Sequence, residues 1–562
     1  MPTTTRLLAA GLAGLLLAGP LAVPAAAAPV VSRAVTATTN ATEKRRVDGV
    51  RTPSLKWAKC HGYAQCATAT VPLDYDQPKG KTVKIALLRI RARDQRHKIG
   101  SLFVNPGGPG APATTFALLS PLFLSDALLN RFDIVGMDPR GIGASTKVNC
   151  FGTTANQAAQ LRGMLPPFPY GEAEETAYIA SARAFGKACS TRGTPLSASM
   201  STAEVARDME VMRRAVGDRK LNYLGFSYGT ALGQYYANMF PERFRTIAID
   251  GVINPVAWAG STATGNMIQD DRLDSAGGAY KAFNEIMKRC DRAGTTRCVF
   301  AADDPKVRFK ILTDRLKANP VTLTGYGSGS IEITYADFIA DILNALYGHT
   351  AGADVAALSQ QMWTLTSSSS ATTVATAGSA YARTRQRLAR ATYNNSFDAF
   401  AAVTCTDGRH PSDASRWPAQ AAAADQRAPY FGRAWAWASV PCARSTWTAR
   451  DEDAYGGPFT KRTRNTVLVV GSYWDPATNY DDAVKSSRLL PNSRLLSSTN
   501  WGHTAYGTSA CVTVAMDRYL LNGVLPVRGK VCAGADQPFT TQVARGRSAA
   551  GERKVLPPIH ER

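Results

Sequence analysis

Lys220-Leu221-Asn222-Tyr223-Leu224-Gly225-Phe226-Ser227-Tyr228-Gly229 is the stretch that decides the fold of this chain. Residues 220–224 read as a short buried strand, and residues 230–240 as a helix that begins with small side chains. A serine between two glycines, at the turn from a strand into a helix, is a nucleophile elbow. The turn is so sharp that the serine takes an unusual backbone conformation, and side chains at Gly225 and Gly229 would collide with neighbouring backbone. Gly-x-Ser-x-Gly alone recurs by chance in Gly- and Ser-rich chains, so the flanking strand and helix give the motif its meaning.

A serine hydroxyl is a poor nucleophile until a histidine takes its proton, and that histidine needs a carboxylate to hold its tautomer. On strand–turn–helix elbows the chain order is Ser, acid, His. Among the histidines after Ser227, His349 ends a helical run and His410 lies in a polar loop, which suits structural or surface roles. His503 follows the strand-like residues 493–497 and is the predicted base. Two acids compete for the third place. Asp250 follows the apolar strand 246–249, and Asp475 follows 466–471 in the loop Ser472-Tyr473-Trp474-Asp475-Pro476. Both stand at the carboxyl end of a strand, where open α/β sheets place their chemistry. Asp475 is on the last strand before the histidine strand and is the acid predicted to face His503.

An attacked carbonyl also needs two N–H groups aimed at its developing charge. The amide of Tyr228, next after the nucleophile, is the first. The second is assigned to Gly108 in Asn105-Pro106-Gly107-Gly108-Pro109-Gly110, directly after the strand-like 100–105, because glycines let bare backbone approach a substrate.

These motifs, with Asp133-Ile134-Val135-Gly136-Met137-Asp138-Pro139-Arg140-Gly141-Ile142-Gly143-Ala144-Ser145, resemble the prolyl-aminopeptidase-like α/β-hydrolases over about residues 55–532. Within that family the chain is most similar to the secreted tripeptidyl aminopeptidases of actinobacteria. One departure separates it from the prolyl iminopeptidases, which carry a histidine just before Gly-Gly-Pro-Gly: here Pro106 stands there, as in the tripeptidyl group.

Arg6, the apolar stretch 7–23 and the alanine-rich 24–28 read as a secretory signal peptide cut after Ala28. No further stretch is long and apolar enough to span a bilayer, so no stable membrane insertion is expected. Ten cysteines, an even number behind such a signal, fit an oxidising compartment. The simplest pairing is sequential: Cys60 with Cys66, Cys150 with Cys189, Cys290 with Cys298, Cys405 with Cys442 and Cys511 with Cys532. Cys-x-x-Cys pairs are missing, which removes a zinc reading. The formal charge of +22 is spread over dispersed arginines without a nucleic-acid-binding motif, so nucleic acid is not an expected partner. That charge fits a solvated extracellular surface, and it would also attract anionic wall polymers.

Strand-like runs at 82–90, 100–105, 132–137, 221–224, 245–249, 466–470 and 493–497 alternate with helices, which predicts a mostly parallel sheet with helices on both faces. The expected organisation is a signal peptide (1–28), a linker or pro-segment (29–50), an α/β-hydrolase core in two parts (51–257 and 461–535), a helical cap (258–460) inserted between two late strands, and a basic flexible tail (536–562). Within the cap, 367–379 is a Ser/Thr/Ala run that also suits a loop.

A cap closes one end of the cleft and leaves room for a few residues before the scissile bond. The ammonium of a free N-terminus then needs an acidic partner. Asp270, Asp271, Asp274, Glu285 and Asp407 are the acids considered, with Asp407 (beside Cys405) and Asp271 put first. The expected activity is that of a secreted, monomeric, cofactor-free serine exopeptidase that releases short peptides, most of all tripeptides, from peptide or unfolded-protein N-termini. An esterase or lipase of the same fold and a single-residue prolyl aminopeptidase are the alternatives.

Overall fold

The computed structural model describes residues 37–326, 329–368, 371–388 and 395–540. The expected signal peptide, residues 29–36 of the expected linker, and residues 541–562 of the expected tail lie outside the described residues. Among the described residues the main-sheet strands are β1 (Ala58–Cys60), β2 (Ala64–Pro72), β3 (Thr82–Ile90), β4 (Gly100–Asn105), β5 (Phe132–Met137), β6 (Leu221–Phe226) and β7 (Phe244–Asp250). A separate hairpin, β8 (Val321–Tyr326) with β9 (Gly329–Ile333), precedes the last main-sheet strands: β10 (Val467–Trp474), β11 (Ser493–Trp501) and β12 (Val531–Cys532). The sheet order is β1-β2-β3-β5-β4-β6-β7-β10-β11-β12. From β5 to β12 all neighbours are parallel, while β1, β2 and β3 form the antiparallel margin.

The parallel strands are apolar on both faces because both faces are covered. Phe103, Val135, Tyr223, Ile247 and Val469 point to one layer, and Leu102, Val104, Ile134, Leu224, Ala248, Leu468 and Val470 to the other. β5 and β6 lie on opposite sides of β4. The order therefore reverses at β4, and the crevice beyond the carboxyl ends of β4 and β6 is where such a sheet binds ligands. The elbow and the Gly107–Gly108 loop both begin there.

Most of the chain between β7 and β10 forms a cap with its own core, in which Phe283, Ile286, Phe309, Phe338, Ile342, Leu358, Trp417 and Trp437 are buried. Ala399, Ala402 and Val403 of the helix Ser396–Asp407 instead pack into the sheet layer that holds Phe103 and Tyr223. Phe168, Tyr178 and Ala182, from the excursion between β5 and β6, pack into the same core, so the cap is composite. The hairpin β8–β9 adds strands to a region expected to be helical. Residues 371–379, within the Ser/Thr/Ala run, belong to the helix Ala371–Leu388.

Two segment boundaries also differ from expectation. The supposed linker contains the helix Ala41–Asp48, capped by Asn40, with Val47 fully buried and Glu43 paired with the buried Arg207. Asp536 bonds His349 at 2.7 Å, and Gln537 accepts from Arg289 at 2.8 Å, so residues 536–540 dock on the cap instead of starting a free tail. Both segments hold because ion pairs and side-chain amides, which leave no hydrophobic period, fix them. All five sequential disulfides are formed. Among the described residues no helix is long and apolar enough to cross a membrane.

Candidate active site

Ser227 joins β6 to the helix Tyr228–Met239 with φ 53° and ψ −126°, the strained conformation an elbow requires. Its N–H donates to the Asp250 carbonyl at 3.1 Å, and its own carbonyl accepts from Thr230 Oγ1 at 2.6 Å. A Cβ on Gly225 would stand 2.5 Å from the Gly229 carbonyl oxygen, and one on Gly229 would stand 2.7 Å from Asn105 Oδ1. Neither glycine can carry a side chain without moving backbone or the Asn105 amide.

His503 Nδ1 lies 3.0 Å from each carboxylate oxygen of Asp475. The acid is itself held by the N–H groups of Ala477 and Thr478 at 2.9 Å and by Thr478 Oγ1 at 3.0 Å. Asp475 is buried, and the His503 side chain is 3% exposed. The imidazole is fixed from the cap as well: the His503 N–H donates to the Tyr347 carbonyl at 3.0 Å, and the two rings meet edge to face at 5.3 Å. Asp250 does different work. It accepts the N–H groups of Ala505 and Tyr506 at 2.9 and 2.8 Å and so anchors the loop that follows the histidine. Burial, opposed by those two bonds, pushes its carboxyl up to about 6. Thr478, which bonds Asp475 and lies 3.4 Å from His503 Nδ1, was not singled out in the sequence; a threonine three residues after an acid has no distinctive signal.

The glycine loop approaches the elbow closely. A Cβ on Gly107 would be 2.8 Å from Ser227 Cβ and 3.0 Å from the Tyr228 nitrogen. Asn105 Oδ1 takes the Gly107 N–H at 2.9 Å and shapes this turn. Tyr228 sits in the first turn of its helix, whose N–H groups have no intrahelical acceptor and carry the positive end of the dipole. The arrangement sets a serine on a strained elbow against a glycine loop, and a histidine oriented by a buried carboxylate, which are the groups an acyl transfer would use.

A cavity of about 370 Å³ lies between core and cap, lined by Gly108, Ile253 and Thr478 from the core and by Trp258, Tyr347, Phe397, Phe400 and Trp435 from the cap side. Its wall is mostly apolar but includes two buried acids, Asp270 and Asp482. Burial, and then the neighbouring Asp271 and Asp274, hold the Asp270 carboxyl well above the usual carboxylate range. Burial pushes Asp482 up to about 7 against the pull of Lys485. Among the acids weighed from sequence, Asp271 pairs instead with Arg427 at 2.5 Å. Asp407 accepts from Thr202 and Trp258, and neither it nor Asp271 is among the cavity-lining residues. Asp482 escaped notice because an acid at the start of the helix Tyr480–Leu489 reads as an ordinary helix-terminus charge. His349 pairs with Asp536, while His410 is buried against the Thr404 carbonyl and held down to about 3 by desolvation and then by Arg272. Glu204, Asp451 and Asp453 converge away from this cavity but are interleaved with Arg207.

Comparison with known proteins agrees with this geometry. A family model described as alpha/beta hydrolase fold matches residues 100–275, and one described as TAP-like protein matches residues 428–532. The chain is similar to a tripeptidyl aminopeptidase of Streptomyces coelicolor, with 30% identity across 84% of this chain and 83% of that one. It is 32% identical to a carboxylesterase B of Mycobacterium tuberculosis across 86% and 90% of the two chains. It is 30% identical to the serine protease Hip1 of the same organism across 84% and 88%. The chain belongs to the tripeptidyl-aminopeptidase-like α/β-hydrolases and is a serine hydrolase.

Proposed function

We propose that this serine hydrolase is a secreted exopeptidase that removes short peptides, tripeptides above all, from free N-termini. Ser227 attacks the scissile carbonyl, His503 takes its proton and passes it to the leaving amine, and Asp475 stabilises the imidazolium. The N–H groups of Gly108 and Tyr228 hold the oxyanion, and water then releases the acyl-enzyme. Five disulfides support action in an oxidising compartment.

The observation that carries the exopeptidase reading is the pair of buried acids in a mostly apolar cavity. A cavity of about 370 Å³ lies near the small end of ligand pockets, roughly 300–1,000 Å³, which suits a few residues of extended peptide. An ammonium entering it would restore the charge of Asp270 or Asp482 and form a charge-assisted bond there. That contact selects substrates with a free amine. The apolar wall and the relative named a carboxylesterase favour a second reading, hydrolysis of uncharged esters.

Digestion of a free-amine decapeptide, followed by mass spectrometry, separates the readings. Successive loss of tripeptides from the N-terminus is expected. Single residues would point to a prolyl-type aminopeptidase, internal fragments to an endopeptidase, and an intact peptide beside a hydrolysed nitrophenyl ester to an esterase.

A further inference from the structure

Asp407 ends the helix Ser396–Asp407, which lies in the inserted segment and packs into the sheet layer, two residues after the disulfide-bonded Cys405. Its carboxylate reaches into the core and is shared among three donors. It accepts the Thr202 N–H at 2.6 Å, Thr202 Oγ1–H at 2.5 Å and Trp258 Nε1–H at 2.8 Å. Thr202 is the first residue of the helix Thr202–Ala215, so a residue of the inserted segment satisfies an N–H at the start of a core helix.

The network continues to the elbow. Thr202 Oγ1 lies 2.5 Å from the Tyr228 hydroxyl. A threonine hydroxyl has one proton, and the carboxylate takes it; Tyr228 must then be the donor in the second bond. The direction is thus fixed from Tyr228 to Thr202 to Asp407. Tyr228 follows Ser227, and its ring meets Trp258, a wall of the cavity, at 5.4 Å. One carboxylate of the inserted segment therefore holds both a wall of the cavity and the residue whose backbone N–H is the proposed oxyanion donor.

We infer that Asp407 is a positioning residue that makes turnover depend on a seated helix Ser396–Asp407, by orienting Tyr228 through Thr202 and Trp258 directly. The inference rests on Tyr228 as an oxyanion donor and not on the length or charge of the substrate. Displacement of this helix, which also lines the cavity through Phe397 and Phe400, would leave Tyr228 without its anchor and the oxyanion hole misaligned, so hydrolysis is suppressed when that wall is out of place.

The test uses the full-length protein, with a tripeptidyl nitroanilide and an uncharged nitrophenyl ester as parallel substrates. Asp407→Asn places an amide N–H₂ against donors. It is expected to lower kcat about 10- to 100-fold on both substrates, less than the loss of a whole oxyanion donor. Thr202→Val, which breaks the middle link at nearly constant volume, is expected to lower kcat likewise, and Thr202→Ser to restore it. In a double-mutant cycle, Asp407→Asn and Tyr228→Phe are expected to be strongly non-additive in kcat. Folding is checked by circular dichroism and thermal unfolding; if Asp407→Asn does not fold, Thr202→Val and Thr202→Ser carry the test. A folded Asp407→Asn or Thr202→Val variant with kcat within twofold of the parent, a change confined to KM, or multiplicative effects in the cycle would overturn the inference. A failure of the exopeptidase reading alone would leave the ester kcat effects in place.

Discussion

His503 and Asp475 face each other with Nδ1 3.0 Å from both carboxylate oxygens, and Asp475 takes up its remaining capacity with Ala477 and Thr478. That pairing, and not mere proximity of an acid, separates Asp475 from Asp250, whose Oδ2 accepts the N–H groups of Ala505 and Tyr506. Asp475→Asn is expected to cost about four decades in kcat through the wrong histidine tautomer, with folding retained. Asp250→Asn is expected to cost far less in kcat. Steady-state kinetics on purified, folded variants check both; a larger kcat loss for Asp250→Asn would reverse the assignment.

Gly251 lies under the imidazole. Its φ is +71°, and a Cβ there would stand 3.1 Å from His503 Cε1 and from Thr478 Oγ1. Gly251→Ala is expected to destabilise by about 1–2 kcal/mol from the left-handed backbone. It is also expected to lower kcat about tenfold or more by displacing the base. Gly294, at φ +64° with nothing within 4 Å of its Cβ position, is the control. Gly294→Ala is expected to show the stability cost with unchanged kcat.

Stability is expected to rise as pH falls from 8.5 to 6.5. Asp482 is pushed up to about 7 by burial, and Asp250 and Asp407 to about 6 by the same cause. Asp270 is raised by burial and its acidic neighbours, and Asp451 by burial and then Asp453. Unfolded carboxyls titrate near about 3.9, so in this window the folded chain binds more protons and gains stability as the pH falls. His410 works in the opposite sense. Held down to about 3 against 6.5 for the free side chain, it stays neutral when folded, and its contribution is lost as the pH falls below about 6.5. Thermal midpoints across pH 8.5 to 5 check the sign; a midpoint that falls between 8.5 and 6.5 would contradict it.

Much of the scaffold was legible because parallel strands covered on both faces are short apolar runs. The runs at 82–90, 100–105 and 132–137 have the bounds of β3, β4 and β5. β2 escaped because it alternates small buried residues such as Ala67 and Ala69 with exposed Thr68 and Thr70 at the antiparallel margin, and β12 is only two residues long. The elbow at Ser227 and the contact of Asp475 with His503 were legible because each of these residues stands at the carboxyl end of a strand with a recognisable pattern. Asp270 and Asp482 were not separable from surface acids, since what distinguishes them is burial beside a cavity made by distant segments. The helix Ala41–Asp48 was missed for a related reason: Arg207, Glu43 and Asp453 hold it across a sequence separation that no local pattern records.

Asp482→Asn and Asp270→Asn are expected to fold as well as the parent or better, since each removes an acid whose charged form burial disfavours. On free-amine peptides each is expected to raise KM, and the more important of the two to cost about 2 kcal/mol or more in kcat/KM. On an uncharged nitrophenyl ester the constants are expected to stay within a few-fold of the parent. Equal losses on peptide and ester would mean that the acids shape the cavity instead of binding the amine.

The most direct test of the central claim is the ratio of kcat/KM for one tripeptidyl nitroanilide with a free amine to that of its N-acetylated form, at a pH below the α-amino pKa of about 7.7–8.0. Loss of a buried charge-assisted contact is worth about 2–5 kcal/mol, so the free form is expected to be favoured by roughly one and a half to nearly four decades. A ratio near one would contradict recognition of the free N-terminus and leave an esterase or an endopeptidase on the same catalytic frame.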